Sequence, residues 1–342
     1  MYSISRALGT AAFALLLCLP ALSTASAEPD RDDPDYVPAY EFSEDWYNWW
    51  GPSYLVDYGL IAAGLTAFAV GDIMTPSSPS RIGPTYDPDD LSEVLQNDDI
   101  QEPYLLEDSV STATMHGLII GGGIGLAAMK AISWRRDDGS AQRFHDTVIG
   151  YVEALSLSAG ITGMAKPIFS RLRPDFADRA RRHHCDQEDN QYRTYCEGYA
   201  NRPLHPSSSR ADRRLKDGKR SFFSGHSSNG FSFFTYTALV LGGRYAWQPQ
   251  ASPRNRGLAI GAQTFLMGTA TTIAASRVID GRHHTSDVVT GSLLGFATAN
   301  FAYWRRFDRQ GHLRRGSGSD FRVGFDVTPS SGDAMLTLEL TR

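Results

Sequence analysis

SRVIDGRHHTSDVVTGSLLGFATANFAYW, residues 276–304, decides the reading of this chain. Its second half, from Asp287 to Trp304, is apolar and rich in Gly, Ala, Ser and Thr, the composition of a helix that packs closely on others. Its first half puts Ser276, Arg277, His283 and Asp287 in the gap where one apolar segment stops and the next begins. Five more apolar segments of helical length occur at 54–74, 114–132, 147–165, 227–245 and 257–276. The expectation is an all-α, six-helix bundle. Beyond Trp304 a basic linker leads to 321–327 and 334–340, which alternate about Pro329-Ser330-Ser331-Gly332-Asp333 and predict a short C-terminal β-hairpin.

The other stretches differ in composition. Arg6, the apolar run 11–19 and Ala25-Ser26-Ala27 follow the order of a secretory signal, so residues 1–27 are set aside and cleavage is expected after Ala27. Residues 28–110 carry 19 of the 38 acidic side chains against only Arg31 and Arg81. They divide into an acidic arm, 28–53, with Trp46, Trp49 and Trp50, the first apolar segment, and a loop, 75–113. The domain proper is 54–306, and the linker and hairpin are 307–342. The insertion 166–220 is locally basic, with 14 basic and 8 acidic residues. For the whole chain, 33 Lys and Arg against 38 Asp and Glu give a net charge of -5, which removes nucleic acid from the expected partners.

Chemistry-bearing residues gather at three helix ends. Lys166 and Arg173-Pro174 close the third apolar segment; seven residues apart, about two turns, they fall on one face if the helix continues past Pro167. Two converging cations suit a phosphate, although basic residues there also complement a helix dipole. Ser224-Gly225-His226 opens the fourth segment, where a serine N-cap, a small residue and free amides can bind an anion. In the third group, Asp287 follows His283 by four residues, so its carboxylate can hold one imidazole nitrogen and leave the other free to attack. His284 is three residues from Asp287, and spacing does not choose between the two histidines.

Together these blocks resemble the phosphatidic acid phosphatase type 2 and vanadium haloperoxidase superfamily, whose signature is K-x6-R-P, P-S-G-H and S-R-x5-H-x3-D. Lys166, Arg173, Pro174, Ser224, Gly225, His226, Ser276, Arg277, His283 and Asp287 match it in type, order and spacing. Phe223 stands where the family has proline. The resemblance covers 114–304 and implies a metal-independent phosphatase without cofactor, in which His283 forms a phosphohistidine, Asp287 orients it and His226 protonates the leaving oxygen. Lys166, Arg173, Arg277, Ser224 and the Gly225 amide would hold the phosphate oxygens. The implied substrate is a phosphate monoester, either a lipid phosphate or a small soluble ester.

Cys18 goes with the leader, and the two cysteines left, Cys185 and Cys196, are expected to pair in an oxidising compartment. A zinc site on these cysteines with His183 or His184 is the competing reading. Asp57, His116 and Glu153 interrupt the first three apolar segments, leaving uncharged runs shorter than the ~20 residues of a membrane span. The expectation is therefore an exported enzyme, periplasmic and soluble or peripherally attached to the membrane. The alternatives are an integral lipid phosphatase, a vanadium haloperoxidase, and an envelope binding protein with a degenerate site.

Overall fold

The computed structural model describes residues 52–76, 81–82, 87–134, 141–186, 193–199, 203–312, 320–327 and 334–341. The leader, its cleavage site and the Trp-rich arm up to residue 51 lie outside the described residues. The long helices are α1 (Pro52–Ile73), α3 (Thr112–Trp134), α4 (Ala141–Phe169), α7 (Gly225–Leu241), α8 (Pro253–Ile279) and α9 (Thr285–Arg306); the apolar segments overlap them, with 227–245 running on from α7 into the π-helical turn Gly242–Ala246. Shorter helices join them: α2 (Leu91–Leu95), α5 (Phe176–His184) and α6 (Ser208–Gly218). Two strands, β1 (Asp320–Val327) and β2 (Ala334–Thr341), pair antiparallel with Asp320 opposite Thr341.

Local chemistry sets the helix ends. Ser252 caps α8 by accepting the Asn255 amide at 3.2 Å, and Pro253 occupies the first turn, where no amide is needed. At the end of α4, Ser170 takes a positive φ of 48°, which stops the helix after Phe169. Arg173 therefore does not share a helical face with Lys166 as two further turns would require. It rides on the segment leaving α4, pinned where its amide meets the Gly218 carbonyl at 2.9 Å.

Helix α7 is the axis of the bundle, packed against α4, α8 and α9, with Phe233, Phe234, Tyr236 and Leu241 fully buried. Gly295 of α9 lies against the Ser228 carbonyl of α7, leaving no room for a Cβ, so these two helices approach at backbone distance. A second, smaller core joins Leu91, Val94 and Ile100 to Leu172, Phe176, Ala177 and Ala180. It fastens the α1–α3 loop and α5 over the end of the bundle where Arg173 emerges. The sulfurs of Cys185 and Cys196 are bonded across a Cα separation of 5.4 Å, which removes both cysteines from any zinc site.

Asp57 and Glu153 do not interrupt the outer surface. Both are buried against Arg305 and Arg306 at the end of α9, with Glu153 Oε2 accepting Arg305 Nη2 at 2.7 Å. By length and composition, 56–73 of α1, 143–169 of α4 and 253–279 of α8 are apolar enough to cross a membrane. For α1 and α4 the short uncharged runs do not exclude a span, because Asp57 and Glu153 are turned inward; in α3, His116 is exposed and the apolar stretch 112–128 is shorter. Large apolar side chains stand exposed along several helices, among them Leu65, Ile73, Ile124, Ile260, Leu293 and Phe296. Such a surface favours association with a membrane.

Candidate active site

The starts of α7 and α9 lie side by side, tied where the Ser224 amide donates to the Asp287 carbonyl at 3.1 Å. That one bond brings the second and third sequence blocks to the same end of the bundle. Ser224 caps α7, its Oγ receiving the Ser227 hydroxyl at 2.9 Å and the Ser227 amide at 3.4 Å. Next comes Gly225, where a Cβ would stand 3.5 Å from Lys166 Nζ, so the ammonium of α4 lies over the first turn of α7. His226 follows, its Nε2 buried and without a hydrogen-bond partner among the described residues.

The guanidinium groups are held from behind by carboxylates. Arg173 Nη2 donates to Asp217 Oδ1 at 3.0 Å. Arg277, fully buried, donates to Asp280 Oδ2 at 2.5 Å and to the Val110 carbonyl at 3.1 Å. Arg282, next to His283 in the chain, reaches Asp175 at 2.8 Å and Asp108 at 2.6 Å while lying over the Tyr104 ring. These pairs fix where the cations point, which a flexible basic side chain could not do alone.

The two histidines separate clearly. His284 Nε2 lies 3.0 Å from the Leu172 carbonyl, and its backbone opens α9. His283 is buried, and the neighbours that act on its charge are Arg173, Lys166 and Asp287. Burial pushes the His283 imidazole down to about 3, with Arg173 and Lys166 adding to the effect and the Asp287 carboxylate opposing it. Burial and then the Arg277 charge hold His226 well below the ordinary histidine value. Burial and the surrounding cations thus favour the uncharged form of both imidazoles.

His283 Nδ1 and Asp287 Oδ2 are 3.8 Å apart, too far for a direct hydrogen bond. Ser221 stands between them, donating to Oδ2 at 2.5 Å with its Oγ 3.4 Å from Nδ1. Arg171 Nη1 binds the other carboxylate oxygen at 2.7 Å. Sequence reading singled out neither residue, though Arg171 lies inside the first block and Ser221 three positions before Ser224. No group of three or more metal-ligating side chains suited to an ion is found among the described residues.

This arrangement, with a lysine and arginines near helix starts, a buried imidazole close to a carboxylate and a second imidazole nearby, sits within a stretch that matches a known family. Residues 147–310 match the family described as the PAP2 superfamily. This stretch is similar to the PAP2 superfamily. It runs from within α4 past the end of α9 and includes the basic insertion, and every residue of the three blocks falls inside it. Diacylglycerol pyrophosphate phosphatase 1 of Saccharomyces cerevisiae is 34% identical over 180 residues, 49% of this chain and 56% of the yeast protein. Phospholipid phosphatase 2 of Mus musculus is 29% identical over 212 residues, 59% of this chain and 71% of the mouse protein. Lipid phosphate phosphatase 1 of Saccharomyces cerevisiae is 30% identical over 164 residues, 47% of this chain and 53% of its own length. The chain thus spans about half to seven-tenths of these PAP2-type relatives. No solved structure matches it.

Proposed function

We propose that this protein is a metal-independent phosphatase that hydrolyses phosphate monoesters through a phosphohistidine on His283. The observation that carries the reading is a buried His283 close to Lys166, Arg173 and Asp287, with His226, its Nε2 buried, near enough to feel the same charges. His283 Nε2 attacks phosphorus, the bond to the leaving oxygen breaks, and His226 gives that oxygen a proton. Water then attacks the phosphohistidine with His226 taking its proton back, and inorganic phosphate leaves. Lys166, Arg173, Arg277, Ser224 Oγ and the Gly225 amide hold the equatorial oxygens as charge spreads over them. His226 carries its proton once a phosphate dianion offsets the surrounding cations that lower its basicity in the empty site.

Lipid phosphates are the favoured substrate class. The names of the relatives support this, as does a half-buried aromatic wall beside Ser224. The Phe222 and Phe223 rings are 4.1 Å apart, and Phe169 meets Phe222 at 5.0 Å. Phe223, in place of the family proline, belongs to that wall and supplies apolar surface to a leaving group. The bundle of six long helices is the catalytic unit in this reading, and the acidic arm and hairpin are appendages to it. In a phosphate-release screen of the purified chain, lipid phosphates in mixed micelles should be cleaved faster than nucleotides or aryl phosphate. Release from none of the three would refute the phosphatase reading, and preference for a soluble ester would refute the lipid assignment.

We further propose that the catalytic end faces an oxidising compartment and that the exposed apolar helix surfaces hold the bundle at a membrane. The disulfide supports the first part, since such bonds persist outside reducing cytosol. With residue 28 exported, six complete crossings would carry Lys166 to the inside, so an outward site requires that some of the long helices do not cross. Protease added to spheroplasts should cut the 166–220 insertion without lysis. Cleavage only after lysis would overturn this orientation.

A further inference from the structure

Asp287 has more partners than the orientation of one imidazole requires. Its Oδ1 receives Arg171 Nη1 at 2.7 Å, while Oδ2 receives the Ser221 hydroxyl at 2.5 Å and the His284 amide at 3.1 Å. The same Arg171 nitrogen reaches Ser286 Oγ at 2.6 Å, so the guanidinium is seated on the first turn of α9. Asp287 is fully buried, and a buried carboxylate stays ionised only when paired and hydrogen-bonded.

We propose that Arg171 and Ser221 are positioning residues for the nucleophile: they lock Asp287 and share its charge, so that His283 keeps its proton on Nδ1 and turns an uncharged Nε2 to the substrate. A serine hydroxyl can donate to Asp287 and accept from His283 at once. Nδ1 therefore faces a hydroxyl already committed to the carboxylate, and the lone pair is left on Nε2. Arg171 acts on the opposite oxygen of the carboxylate and makes no contact with the reacting atoms in this arrangement.

The charge balance around His283 gives the direction. Lys166 and Arg173 at the end of α4 and His226 from α7 all oppose a proton on it. Asp287 from α9 and Asp217 from α6 attract one. Arg171 offsets the nearest of these attractions. Without it the full carboxylate charge falls on His283, the imidazole takes a proton more readily, and the nucleophile is lost over a wider acid range.

This inference rests on the phosphatase reading only for its kinetic consequence, so the test includes a readout that needs no turnover. The variants are Arg171→Gln, Arg171→Lys and Ser221→Ala, with Ser221→Thr keeping the hydroxyl. NMR of histidine-labelled protein follows the His283 titration, and steady-state kinetics give kcat and KM against pH. Arg171→Gln should move the His283 midpoint and the acid limb of kcat upward by roughly one to two units. KM should stay within about two-fold, since an interaction outside the substrate site is not lost on binding. Arg171→Lys should restore most of the shift, and Ser221→Thr should outperform Ser221→Ala. An unchanged His283 titration with kcat reduced equally at every pH would overturn the proposal by making Arg171 merely structural. A rise in KM alone would overturn it by making Arg171 a substrate-binding cation. If Arg171→Gln does not fold, the Lys and Ser221 variants decide by the same two readouts. A wild-type chain that releases no phosphate sinks the phosphatase reading, while the titration still judges this one.

Discussion

Replacing His283 by alanine is expected to reduce phosphate release by more than about a thousand-fold, because no neighbouring group can substitute for an attacking nitrogen. The imidazole is buried beside Lys166 and Arg173, and the Ser221 hydroxyl next to it is committed to Asp287. His284→Ala is the control. That side chain is directed to the Leu172 carbonyl, 3.0 Å away, so its loss should affect the fit of the 171–173 segment more than chemistry. Substantial turnover in the His283 variant together with an inactive His284 variant would move the nucleophile by one residue. Circular dichroism on both variants separates lost chemistry from lost fold.

The second large effect concerns stability at the other end of the bundle. Glu153→Ala should destabilise the protein by about 3–5 kcal/mol, the loss expected when one partner of a buried ion pair is removed. Glu153 is fully buried, and its carboxylate serves Arg305 and Arg306, which also share Asp57. Without Glu153, the buried Arg306 and the partly buried Arg305 face a single carboxylate, Asp57. Denaturant unfolding of wild type and variant in the same detergent gives the difference. A loss under about 1 kcal/mol would put the cluster in the range of exposed surface pairs, contrary to its burial.

This cluster also marks the limit of what a linear reading can extract. Asp57 and Glu153 look like breaks in apolar segments because burial depends on Arg305 and Arg306, far away in the chain. The three site blocks were legible for the opposite reason. Each is local, a capped or terminated helix end or the turn between two helices with its charged groups within about ten residues, so composition and spacing bring out the pattern before any fold is known. The helical character of the segments followed from their composition in the same way. What spacing could not give was the route by which Lys166 and Arg173 meet: Ser170 stops the helix, and Arg173 is placed by its amide bond to Gly218 instead. Nor could it find Arg171 and Ser221, whose partner Asp287 is 116 and 66 residues away in the chain. The choice between His283 and His284 likewise depended on the Leu172 carbonyl, a backbone atom with no sequence signature.

The central claim is a covalent phosphoenzyme on one named histidine. It is tested most directly by rapid acid-free quenching of the chain during turnover of a labelled lipid phosphate, followed by peptide mapping under alkaline conditions that preserve phosphohistidine. The account predicts label on the peptide containing His283, attached through Nε2, and none in the His283→Ala protein. Label on His226 or His284, or active turnover with no labelled peptide at any quench time, would contradict it.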